Sequence, residues 1–165
     1  QSESNWVEQW STESLQNQQD NDPSISQVKV FLLECTERPK VNDPNPTVNC
    51  LLRQWDRLTI VYNILYRKWE KDSKEVVLQL VAPKSLRREI MCILHNNRTS
   101  GHLGREKTMQ SIKSRFYWPG MSDDIGRWCQ SCKPCAKKKP GPGIGKSPMQ
   151  HVTVTEPPHS PSLKI

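Results

Sequence analysis

The sequence predicts an α+β chain in which a small domain of about three helices, stabilised by a metal ion, follows short helices and a β-hairpin. Disordered segments are expected to flank these parts. Three observations carry the prediction. His95, His102, Cys132 and Cys135 fall as His-x6-His and Cys-x2-Cys, with 29 residues between the pairs. Apolar residues recur at helical spacing on both sides of the histidines. Between Thr59 and Val81 the chain changes to a Val-, Ile-, Leu- and Tyr-rich pattern typical of strands.

Two imidazoles and two thiolates complete a tetrahedral zinc site, with no position left open for a reacting water, so the ion is expected to be structural. The Cys-x2-Cys knuckle aims two thiolates at one point, and Pro134 restricts the chain inside it. Spacing alone also allows Cys129 with Cys132 as the thiolate pair, because Cys129-Gln-Ser-Cys132 has the same form. Cys132 and Cys135 are favoured, since Pro134 and the lysines beyond it place Cys135 at a helix exit. Cys129 would face inward beside Ile125 and Trp128.

Composition narrows the classes. Only 34% of the 165 residues are hydrophobic and 13 are proline, so much of the chain is expected to be linker. A first residue that is not Met and an unclosed C-terminal segment suggest a piece of a longer chain. No apolar run approaches the roughly 20 residues needed to cross a bilayer, and no signal peptide is visible, so a soluble intracellular protein is expected. Without a secretory context, six cysteines read as metal ligands and reduced thiols rather than a disulfide framework. Charge is uneven. Residues 1–83 carry 9 Lys/Arg against 12 Asp/Glu, net −3; residues 84–139 carry 13 against 4, net +9; residues 140–165 carry 2 against 1, net +1. A basic segment of that size is an electrostatic footprint for nucleic acid.

In chain order, Ser11 to Ser14 can cap a short helix through Gln19, and Asp22-Pro23 opens a second, Ser24 to Cys35, with Ile25, Val28, Phe31 and Leu32 at helical spacing. Residues 38–48 hold three prolines and read as linker, which closes a first region at residues 1–47. Residues 48–83 form a spacer: a helix from Val48 to Leu58 with Leu51, Leu52 and Trp55 on one side, then a hairpin of Thr59 to Trp69 and Glu75 to Val81 joined by a polar turn. The metal domain spans 84–139. Pro83 suits a first helical turn, and Leu86, Ile90, Ile93 and Leu94 form the face of a helix ending at His95. Asn96 to Ser100 loops back, Arg105 to Arg115 is helical with Met109, Ile112 and Phe116 inward, and Trp118-Pro119-Gly120 stops it. Ser122-Asp123-Asp124 is expected to cap the last helix, which runs to the knuckle. A unit this small buries little surface, so metal would supply much of its folding free energy. Residues 140–165, rich in Pro and Gly and including His151 and His159, read as a flexible tether.

Leu94-His95, Gly101-His102-Leu103-Gly104, Lys107-Thr108, the run Phe116 to Met121, and Cys132-Lys-Pro-Cys135 followed by lysines occur together and in order. This set resembles the zinc-binding domain, with its two His and two Cys ligands, of Gypsy-type LTR retrotransposon integrases within Pol polyproteins. Leu51 to Leu58, Leu65-Tyr66-Arg67 and Leu80 to Pro83 resemble the segment that precedes it. The resemblance implies one structural Zn2+ on His95, His102, Cys132 and Cys135, and puts Cys129 where a non-ligand is usual. It also implies a role in binding retroelement DNA ends and in multimer assembly, in a nucleus or a retroelement particle. Strand transfer in that family belongs to three acidic residues of a separate domain, which nothing in 1–165 resembles. The fragment is therefore expected to have no catalytic residues, with the catalytic domain expected to follow the tether.

Arg105, Lys107, Lys113, Arg115, Lys137, Lys138 and Lys139 are the candidate phosphate contacts; a solvated basic face is the plainer reading of the same residues. Phe116 and Trp118 read as core rather than stacking platforms. Asp123-Asp124 reads as helix-dipole stabilisation rather than a catalytic pair. Gly101 to Thr108 lacks the spacing of a phosphate-binding loop and no strand precedes it, which excludes nucleotide binding. Two rival functions follow from the same residues: a zinc-stabilised self-association module in a domesticated retroelement-derived protein, and a thiol oxidoreductase using Cys132 and Cys135.

Overall fold

The computed structural model describes residues 9–96 and 102–138, the last three by backbone alone. Residues 1–8, most of the loop expected after His95 and the expected tether of residues 140–165 lie outside the described residues. Helices α1 (Thr12–Asp20), α2 (Pro23–Glu34) and α3 (Pro46–Leu52) lead into strands β1 (Leu58–Val61), β2 (Ile64–Glu70) and β3 (Val76–Val81). Helices α4 (Lys84–His95) and α5 (Arg105–Lys113), strand β4 (Phe116–Tyr117) and helices α6 (Met121–Ser131) and α7 (Lys133–Lys138) complete the chain. The fold is α+β, as the sequence predicts.

The first two helices start where capping chemistry places them. Ser11 Oγ accepts from Ser14 N–H, and Asp22 Oδ1 accepts from the Ser24 and Ile25 amides with Pro23 at the first helical position. The sheet order is β1-β2-β3-β4, antiparallel except that β4 runs parallel to β3. Alternation along the strands then splits the core in two. Leu58, Leu65 and Val81 point to one face and pack with Ile25, Val28, Val48, Leu51 and Leu52 of α2 and α3. Ile64 and Leu80 point to the other and join Leu15 of α1, Leu86, Ile90 and Leu94 of α4, Ile112 of α5, and Trp118 and Ile125. This second cluster runs without a break from the N-terminal helices into the metal segment.

Buried polar groups tie the same layers together. Gln19, fully buried, donates from Nε2 to the Leu65 and Val81 carbonyls and accepts the Leu65 amide at 2.7 Å, so α1 completes the hydrogen bonding of β2 and β3. Asp22 caps a second helix with its other oxygen, Oδ2 accepting the Lys84 amide at 2.9 Å. Arg67 donates to Gln54 and Gln79 and lies 4.3 Å from the Tyr117 ring centroid; Gln79 in turn donates to the Lys113 carbonyl.

Four expectations need correction. The expected strand Thr59 to Trp69 is two strands, because Tyr62 and Asn63 take φ of 49° and 57° and make the two-residue loop of a hairpin. The helix expected from Val48 to Leu58 ends at Leu52; a single 3-10 turn, Trp55–Arg57, follows, and Leu58 is already paired in the sheet. Ser122-Asp123-Asp124 does not cap α6. Its N-cap is Gly120 at φ 79°, a left-handed conformation that glycine adopts without a Cβ penalty, and no side chain caps it. Among the described residues the metal segment holds four helices where about three are expected, since the chain restarts a short helix after Cys132.

Candidate metal centre

Each ligand-bearing element is held from outside the centre. The inward stripe of α4, Leu86, Ile90, Met91 and Leu94, ends at His95, which is fully buried. His102 has φ 46°, a left-handed turn just before the Gly104 N-cap of α5. Trp118, also fully buried, donates from Nε1 to Asp124 Oδ2 at 2.8 Å and so fixes the start of α6. Cys132 then leaves the helix at φ −73°, ψ 109°, and α7 begins at Lys133 with Pro134 in its first turn and Cys135 in the next position.

These elements bring His95, His102, Cys132 and Cys135 together, their ligand atoms all within 4.8 Å of one another. Cys135 Sγ lies 3.4 Å from His95 Nε2, and Cys132 Sγ lies 3.5 Å from His102 Nδ1. Zn–N bonds of about 2.0–2.1 Å and Zn–S bonds of about 2.3 Å at tetrahedral angles require N···S edges of about 3.6 Å. The two N···S edges, at 3.4 and 3.5 Å, match that requirement. The two imidazole planes cross at 75°, so the rings do not stack and both nitrogens can converge on one point.

A neighbouring helix sets the tautomer of His95. Thr108 donates its hydroxyl proton to the Leu103 carbonyl, leaving its oxygen to accept from His95 Nδ1–H at 3.1 Å. The Nε2 lone pair therefore faces the cluster. Burial lowers the pKa of His95, the His102 ring lowers it further, and the Leu103 backbone contact partly offsets both. Neutral imidazole is the form a metal ligand requires.

Cys129 is buried within the same cluster of side chains, but its Sγ lies 3.7 Å from His95 Nδ1, the edge of the ring turned away from Cys135. The geometry thus separates the two thiols that spacing left open. Thr108 escaped the sequence reading of the site, although its place one helical turn before Ile112, on the buried side of α5, was the available signal.

The candidate phosphate contacts are dispersed. Arg105 and Lys107 are exposed in the first turn of α5. Lys113 holds its ammonium 5.0 Å from the Trp69 ring centroid. Arg115 is half-buried, with its pKa lowered by burial. The side chains of Lys137 and Lys138, and all of Lys139, lie outside the described residues. Phe116 and Trp118 are core, as the sequence predicts.

Residues 82–141 match the integrase zinc binding domain family. This chain therefore carries an integrase zinc-binding domain, and with the His2Cys2 cluster this gives it one structural zinc. It is similar to the Gypsy retrotransposon integrase-like protein 1 of Homo sapiens, 27% identical over 90 residues, which cover 54% of this chain and 17% of that protein. It is also similar to the Pro-Pol polyprotein of Simian foamy virus type 3 (strain LK3), 32% identical over 57 residues, or 34% of this chain and 5% of the polyprotein. No solved structure matches. The chain thus spans a small part of the curated relatives it matches. Among the described residues no helix is long and apolar enough to cross a membrane.

Proposed function

We propose that the chain is the nucleic-acid-binding N-terminal region of a retrotransposon-type integrase. Zinc on His95, His102, Cys132 and Cys135 holds the domain, whose basic surface engages the phosphates of DNA ends and contributes to multimer assembly. The observation that carries this is the coincidence of the closed His2Cys2 cluster with the net charge of +9 on residues 84–139, against −3 on the preceding 83 residues. Arg105, Lys107, Lys113, Arg115, Lys137, Lys138 and Lys139 are the proposed contacts. They position the protein on a backbone without reading base sequence. End processing and strand transfer by the parent protein fall to a separate domain, and the site of action is the nucleus or the retroelement particle.

Binding of the zinc-loaded chain to a fluorescent DNA duplex, measured across a salt series, tests the reading. Contact with several phosphates predicts log Kobs falling linearly with log salt, by about 0.9 per phosphate neutralised. Absence of binding, or binding indifferent to salt, contradicts it. The self-association reading, in which the zinc domain itself pairs copies of the chain, predicts contacts that do not weaken log-linearly with salt, so the same salt series distinguishes it from phosphate binding.

A further inference from the structure

Gly126 sits in the middle of α6, where glycine costs about 1 kcal/mol relative to alanine. Helix geometry alone gives no reason for it, since its φ is not in the left-handed region. The reason is across the interface. A Cβ at residue 126 would lie 3.2 Å from Arg105 Cζ and 3.3 Å from Nε and one terminal nitrogen, closer than ordinary van der Waals contact. The planar guanidinium of Arg105 therefore lies flat against the backbone of α6, and Gly126 is buried beneath it. Arg105 is otherwise exposed, and no carboxylate among the described residues pairs with it. It contrasts with Lys113, whose charge is already placed over Trp69.

We propose that Gly126 is a positioning residue for nucleic-acid binding: it provides the flat seat on which the Arg105 guanidinium is pre-oriented for a DNA phosphate. This rests on the reading of the basic surface as a phosphate-binding one. A free arginine loses side-chain entropy when it docks on a phosphate, and seating it beforehand removes part of that loss. The planar fork matters because it is what spans both the helix surface and a phosphate; a lysine ammonium is a point charge that cannot lie flat in the same way.

The test uses the full zinc-loaded chain and a labelled DNA duplex of mixed sequence, comparing wild type, Gly126→Leu, Arg105→Ala and the double variant. Gly126→Leu is expected to weaken binding roughly fivefold to tenfold in the wild-type background and to have no effect once Arg105 is alanine, because the glycine acts through the arginine. Its salt slope stays that of wild type, since the charge is kept, whereas Arg105→Ala lowers the slope by about 0.9. Zinc stoichiometry is unchanged throughout. An equal loss in both backgrounds, or no loss in the wild-type background, overturns the proposal. Arg105→Lys tests the same point without touching α6: it is expected to bind more weakly than wild type, and wild-type affinity overturns the positioning role. Failure of the wild type to bind DNA at all contradicts the phosphate-binding reading itself, an outcome distinct from wild-type binding that Gly126→Leu leaves intact.

Discussion

The two faces of the sheet are stabilised by different physics. On one face, Ile25, Val28, Val48, Leu51, Leu52, Leu58, Leu65 and Val81 form an aliphatic layer that needs no ligand. On the other, the core passes from Leu15 and Ile64 into α4, α5 and α6 and ends at four metal ligands. Aliphatic burial is non-directional and tolerates small adjustments, whereas a tetrahedral site fixes four side chains within a few tenths of an ångström. The first face sets the sheet; the second sets where His95 meets the cysteines. The two are joined by Gln19 and Asp22, which reach from the N-terminal helices to β2, β3 and the start of α4.

Metal removal should break the comparison most completely. Structural zinc contributes about 10–16 kcal/mol in small zinc domains at neutral pH, so chelation is expected to abolish amide protection in α5, α6 and α7. The aliphatic layer, with no ligand in it, is expected to keep protection in β1 to β3. Hydrogen exchange before and after chelation reads this, and uniform loss across both faces would show one cooperative unit. Acid acts in the same direction. Because the pKa of His95 is lowered in the fold, its neutral form is the one folding favours. Stability is thus unaffected by this group above the ordinary imidazole pKa of about 6.5 and falls as the pH drops below it, where the unfolded chain binds the proton first.

Leu52→Ala perturbs the other face. Leu52 is 1% exposed, and its truncation should cost about 2–5 kcal/mol by denaturant melting while zinc stoichiometry stays at one. Loss of zinc in that variant would mean the faces are coupled more tightly than the two clusters suggest. Gln19→Ala acts at the join, leaving the Leu65 amide and two carbonyls without their partner; a loss of about 1–3 kcal/mol is expected in the same melt. A neutral result would show water replacing the side chain. Thr108→Val should act mainly at the zinc site, although it also removes the hydroxyl that donates to the Leu103 carbonyl. It keeps the shape of the buried side chain but removes the acceptor of His95 Nδ1–H, and competition with a chromogenic chelator should show zinc affinity about 10- to 100-fold weaker.

Sequence logic succeeded where interactions were local. Ser11 and Asp22-Pro23 announced their helices because a cap and its amides lie within three residues. The stripe ending at His95 and the knuckle at Cys132 and Cys135 were visible as spacings. The parts that escaped depend on distance in the chain. Gln19 is an ordinary polar helix residue until Leu65 and Val81, 46 and 62 positions away, accept and donate to it. β4 is two residues long, too short for any period, and exists because β3 offers it an edge. The hairpin at Tyr62-Asn63 lacks the glycine that usually marks such a turn, so its left-handed pair of residues was not announced. Cys129 shares the Cys-x2-Cys spacing, and only the orientation of the His95 ring tells its thiol from that of Cys135.

The most direct test is zinc stoichiometry on Cys129→Ser and Cys135→Ser, each followed by circular dichroism with and without chelator. One zinc retained by Cys129→Ser, and zinc and helix both lost in Cys135→Ser, is the result the metal-centred account predicts. Zinc lost in Cys129→Ser but retained in Cys135→Ser would move the ligand set by three residues and contradict the geometry around His95.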